Sequence, residues 1–64
     1  MVSMGFVIMN QQNEFYSYIR HKDKYPVFIH DFVYAKVYDS EKSAQKKLQE
    51  LLQLTNEPLF VCEV

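Results

Sequence analysis

One stretch of this chain has the periodicity of a helix, and the rest of its apolar sequence reads as strand. Between Asp39 and Pro58, the residues Ala44, Leu48, Leu51, Leu52 and Thr55 recur at the i, i+4, i+7, i+8, i+11 spacing of a single apolar face. Ser40 is placed to accept hydrogen bonds from the free amides of the first turn, and Glu41 lies at the positive end of the helix dipole. Lys42, Lys46, Gln49 and Gln53 make the wet face. The helix is expected to run to about Leu54, where Thr55-Asn56-Glu57-Pro58 stops it, because proline cannot continue a helix. A single helix has a single apolar stripe, so it covers one face of a sheet. The other face must meet water, a partner or a stray segment of the chain.

The strands follow from the apolar runs. Gly5-Phe6-Val7-Ile8-Met9 is rich in strand formers and lacks alternation, which suits a central strand. Asn10-Gln11-Gln12-Asn13 is turn-forming, and Glu14 to His21 is a second strand, so the two predict a hairpin. Lys22 to Pro26 is a charged loop. Val27 to Tyr38 has two readings. One is an extended piece at Val27–Ile29, a helical turn at Asp31–Tyr34 and a strand at Ala35–Tyr38; the other is one continuous strand. Leu59 to Val64 is the last strand. The expected fold is a single two-layer α+β domain over residues 1–64. A three- to four-stranded antiparallel or mixed sheet carries one helix on one face, in the order β-β-β-α-β.

Alternation along a strand assigns the faces. Phe6, Ile8, Phe15, Ile19 and Val37 are expected to face the helix. Val7, Met9, Tyr16, Tyr18 and Tyr38 are expected to face away, bordered by Arg20 and Lys36, as a partner-binding surface. Three covered tyrosines bury on the order of 450–750 Å², against about 300–600 Å² for the largest patch on a typical monomer. The competing arrangement has the Tyr25–Tyr34 segment folded over that face.

Size sharpens the need for a partner. A chain of 64 residues buries only about 60% of its unfolded surface, and cores of this size rarely supply more than about 3–5 kcal/mol. Cys62 is the one cysteine, so no disulfide can staple the fold. His21, His30 and Cys62 lack metal-finger spacing. Self-association or dense packing of the five Phe and five Tyr remains. The net charge of −1 gives no general attraction to nucleic acid or anionic membrane. The longest uncharged apolar stretch, Met4 to Met9, is too short to span a bilayer. A free thiol, and first residues unlike a signal peptide, point to the reducing cytoplasm as the expected compartment.

Catalytic constellations do not assemble. The carboxylates are spread singly, and each histidine has only sequence neighbours as candidate orienting groups. Cys62 has no cation beside it to lower its pKa, and reads as a small buried hydrophobe. The run Arg20-His21-Lys22-Asp23-Lys24 beside Tyr16 and Tyr18 has the composition of a single-stranded nucleic-acid platform. The negative net charge and the single glycine argue against it. The expectation is a binding protein with no cofactor, not an enzyme.

Three segments carry a resemblance. Phe6-Val7-Ile8, then Asn13-Glu14-Phe15-Tyr16, then Ala35-Lys36-Val37-Tyr38-Asp39-Ser40-Glu41-Lys42-Ser43-Ala44, together resemble short phage and prophage accessory proteins of Gram-positive bacteria. That class often comprises host-takeover or anti-defence proteins that act by binding. The resemblance implies an inhibitor of a host protein, such as a defence or nucleic-acid-processing enzyme, in the host cytoplasm. The first alternative is a homo-oligomer that sequesters a small ligand, such as a signalling nucleotide, between tyrosines and Arg20 or Lys36. The second is a single-stranded nucleic-acid binder.

Overall fold

Ser40 does cap the helix: its Oγ accepts from Ser43 N at 3.2 Å. In the computed structural model, which describes residues 5–64, this helix is α1, Glu41–Leu52. The strands are β1 (Phe6–Asn10), β2 (Phe15–Ile19), β3 (Pro26–Ile29) and β4 (Leu59–Glu63). They form one antiparallel sheet in the order β3-β2-β1-β4, with α1 packed across β4 and β1. The α+β class, the helix on one face and the element order match the sequence reading. Over Val27–Tyr38 the expected extended piece and helical turn are present, the extended piece as β3, but the strand expected at Ala35–Tyr38 is not formed. Phe32–Tyr34 is a single 3₁₀ turn, while Ala35–Tyr38 keeps only one isolated bridge, Phe6 to Tyr38.

Asn10 organises the first hairpin. Its Oδ1 accepts from Gln12 N at 3.1 Å and Glu14 N at 3.0 Å, and its Nδ2 donates to Glu14 Oε1 at 2.9 Å. A buried amide is tolerated because its polar atoms are engaged. Asn13 takes the left-handed conformation, φ 61°, which asparagine enters more readily than most residues.

Beyond the turn, β1 and β2 separate. Met9 lies opposite Phe15, but Tyr16 O then accepts from Lys36 N at 2.9 Å. Phe6 and Tyr38 exchange two backbone bonds of 2.8 Å. Residues 36–38 therefore fill a fork between the strands. Gly5 makes the fork possible. It sits at φ 149°, and a Cβ there would lie 2.5 Å from Tyr38 O and 2.8 Å from Val37 Cγ1.

A second irregularity lies in β2. Tyr16 is opposite Phe28 and Tyr18 is opposite Val27, so Ser17 is an extra residue, a β-bulge. It shifts the alternation by one. Tyr16 turns to the helix side, 4% exposed, with its ring 6.1 Å from Phe28. Tyr18 stays outside and Ile19 returns to the core.

The core joins Ile8, Tyr16, Leu48, Leu51 and Leu59, with Ile19, Phe28, Tyr38 and Val61 packed against it. Four assigned directions are thereby corrected. Tyr16 and Tyr38 face the helix, not away from it. Phe15 lies on the far face because the bulge reverses it relative to Ile19. Val37 is exposed at the fork and packs beside Gly5, so it does not support the helix. Ala44, Leu48, Leu51 and Thr55 are buried as their spacing predicts, whereas Leu52 lies at the rim of the stripe and is exposed.

Candidate functional site

The strand registers define what lies on the sheet face opposite α1. Phe60 of β4 is across from Met9 of β1, Met9 from Phe15 of β2, and Phe15 from Ile29 of β3. Phe15 faces away from the helix, so all four do, and they form an apolar row across the whole sheet. Val7 and Cys62 form a shorter row beside it. Val7 is fully buried, Met9 and Phe15 are half-buried, and Phe60 is 49% exposed.

The 3₁₀ turn folds onto this row. Phe32 meets Phe15 edge to face, with centroids 5.4 Å apart at 73°. Asp31 caps the turn, its Oδ1 accepting from Val33 N at 3.0 Å. Ser17 Oγ, on the bulge, donates to Tyr34 O at 2.7 Å. The bulge therefore has two consequences: it sends Tyr16 inward and provides the hydroxyl that fastens the turn. The turn in turn lifts Val33, 78% exposed, and Tyr34, 66% exposed, above the sheet. Of the Tyr25–Tyr34 segment only this turn covers the second face and adds apolar surface of its own: Tyr25 reaches Thr55 at the helix end, Oη to Oγ1 at 3.5 Å, and Pro26–Ile29 is a strand of the sheet itself.

The residues expected to form one surface are divided by this geometry. Met9 and Tyr18 remain on the second face and reach solvent. Val7 is on that face but sealed, and Tyr16 is in the core. Tyr38 packs on the core, where burial pushes its phenol up to about 12; burial also raises Tyr16. Lys36 is exposed with its ammonium 5.7 Å from the Tyr38 ring centroid. Arg20 grips Asp23 through two bonds, Nε to Oδ1 at 2.9 Å and a second to Oδ2 at 2.6 Å. The Arg20 hydrogen bond holds Asp23 at about 2. Arg20 is committed to its own loop.

Phe60, Phe32, Val33 and Tyr34 are the surface residues that sequence reasoning missed. Leu59-Phe60-Val61-Cys62 is apolar without alternation, so nothing in it says which side chain faces out. Phe32-Val33-Tyr34 did carry a signal: three consecutive bulky residues in one capped turn cannot all be buried. His30 Nε2 lies 3.3 Å from Glu14 Oε2 at an exposed site, and His21 is also exposed. Among the described residues, no three His, Cys, Asp or Glu groups cluster to hold a metal, and no helix is long and apolar enough to cross a membrane. The second face offers apolar area, aromatic edges and a few hydroxyls, which suit contact with another surface. No protein-family model, curated protein or solved structure matches this chain.

Proposed function

We propose that this chain is a small binding protein that docks a protein target on the second face of its sheet and so inhibits it. The observation that carries the reading is the joined apolar surface of Phe60, Met9, Phe15 and Phe32, crowned by exposed Val33 and Tyr34. Interface centres are depleted of charge and enriched in Tyr, Phe and Met, as this surface is. The turn is pinned before binding by Asp31 and Ser17, so little ordering cost remains. A protein is favoured over a nucleic acid because Arg20 is neutralised by Asp23 and the row itself is uncharged. The resemblance of residues 6–8, 13–16 and 35–44 supports a phage-type setting with a host enzyme as target.

Capture of targets from host lysate tests the reading. Val33→Asp with Tyr34→Asp places two charges on the surface without touching the core. The double variant is expected to lose the captured protein, while Lys42→Asp with Gln49→Asp on the wet face of α1 keeps it. Equal capture by both variants contradicts the assignment.

A further inference from the structure

The two edges of the sheet are unequal. β3, one edge, has four residues, begins at Pro26 and lies beside the bulge. Such features guard an edge against pairing. β4, the other edge, is a regular five-residue strand with no proline and one charge, Glu63. Gly5 and Val64 exchange both backbone bonds, Gly5 N to Val64 O at 3.2 Å and Val64 N to Gly5 O at 2.8 Å. Antiparallel ladders alternate, so Phe60 and Cys62 likewise turn their backbone groups to β1. Leu59, Val61 and Glu63 turn theirs outward. Among the described residues no partner meets these outward groups.

We propose that β4 pairs antiparallel with β4 of a second copy of this chain, with Val61 on the two-fold axis. Leu59 then lies opposite Glu63 of the second copy, and each outward pair exchanges two bonds, about six in all. Sliding the copies one step one way puts Glu63 opposite Glu57, a like-charge pair that destabilises the ladder. Sliding them the other way leaves Leu59 without a partner among residues 59–63. The centred register alone satisfies all three outward residues and keeps the acids apart. Phe60 falls opposite Cys62 of the second copy on the second face, so the apolar row continues across the junction. α1 packs over β4 and β1. The paired helices then run side by side about two strand spacings apart, roughly 10 Å, an ordinary helix-packing distance. The pairing is independent of target binding at Val33 and Tyr34.

Sedimentation equilibrium combined with cysteine mapping tests this. The wild type is expected to sediment at twice the chain mass. Glu63→Pro removes an outward N–H, not one used within the chain, and is expected to give a monomer with an unchanged far-UV spectrum. If that variant loses its fold, Phe60→Cys decides alone. Treated with diamide as oxidant, Phe60→Cys is expected to form a covalent dimer whose disulfide joins the introduced thiol to Cys62 of the second copy. Non-hydrogen-bonded pairs bring Cα atoms to about 4.5 Å, within disulfide reach. A wild type that stays monomeric, a folded Glu63→Pro protein that stays dimeric, or a disulfide joining two copies of Cys62 or two introduced thiols overturns the proposal. Val33→Asp with Tyr34→Asp is expected to remain dimeric, which separates failure of this pairing from failure of target docking.

Discussion

The β1–β4 half of the sheet and the β2–β3 half are built under different rules. On the first side five residue pairs run in unbroken register, from Phe6 opposite Glu63 to Asn10 opposite Leu59. Side chains alternate without exception, and α1 closes over them. On the second side β2 touches β1 at one pair, takes a bulge at Ser17 and leaves a fork filled by residues 36–38. The first half is a scaffold with the fully buried Ile8 and Leu51. The second half carries the 3₁₀ turn and most of the exposed apolar surface. Facing can be counted along a strand only as far as its ladder is unbroken. Interruptions are also where a sheet re-aims side chains for contact with others.

Breaking the scaffold half at its buried centre should cost much of the domain's stability. Leu51→Ala removes a fully buried contact between helix and sheet, with an expected loss of ~2–5 kcal/mol in urea unfolding, comparable to the whole stability of so small a domain. Leu52→Ala, one residue along and exposed, is expected to stay within about 0.5 kcal/mol. Comparable losses at both positions would mean that the apolar stripe is set wrongly.

The fork gives the next effect. Gly5→Ala combines positive φ with a Cβ driven into the Tyr38 carbonyl, so a loss of more than about 1 kcal/mol is expected. Amide exchange should be fastest at Phe6, Lys36 and Tyr38 in that variant, since these N–H groups hold the fork closed. A Gly5→Ala protein as stable as the wild type would show that residues 36–38 do not occupy it.

Smaller still is the response to pH. The Tyr38 phenol titrates near 10 in the unfolded chain and at about 12 when folded, so the folded state holds its proton more tightly. Its contribution is fully present below pH 10 and is lost as pH rises toward 12. The urea midpoint of the wild type should therefore fall over that window more than that of Tyr38→Phe. At the acid end the direction reverses. Asp23, held at about 2 by Arg20, contributes above pH 4 and loses its contribution as pH falls toward 2. Because both side chains of the pair are about half open to solvent, Arg20→Gln should change the acid limb only slightly, and salt should abolish the difference.

How much of this was legible follows the same division. Ser40, Ala44, Leu48 and Pro58 were enough to place α1, because capping and periodicity are local. The helical turn at Asp31–Tyr34 was one of two readings of its segment, and the structure has it as a 3₁₀ turn capped by Asp31. The helix stops two residues before Leu54, since Gln53 already donates to Glu50 O and Leu51 O as the cap. The faces of β2 were not legible at Phe15 and Tyr16. Tyr16-Ser17-Tyr18 has the pattern of an uninterrupted strand, and its bulge answers to distant groups, the Tyr34 carbonyl and the pairing with β3. The second face was expected from the single helix and is present. Phe15, Phe32 and Phe60 furnish it in place of Tyr16 and Tyr38.

The bulge at Ser17 decides which aromatic residues hold the fold and which are left to meet a partner. Urea unfolding of Tyr16→Ala and Tyr18→Ala, measured side by side, tests it most directly. Tyr16→Ala should lose about 3–5 kcal/mol, as core aromatic truncations do. Tyr18→Ala, at a 55% exposed position, should lose no more than about 0.5 kcal/mol. Equal losses, or a larger loss at Tyr18, would mean that β2 runs without the bulge and that the surface described here is turned inward.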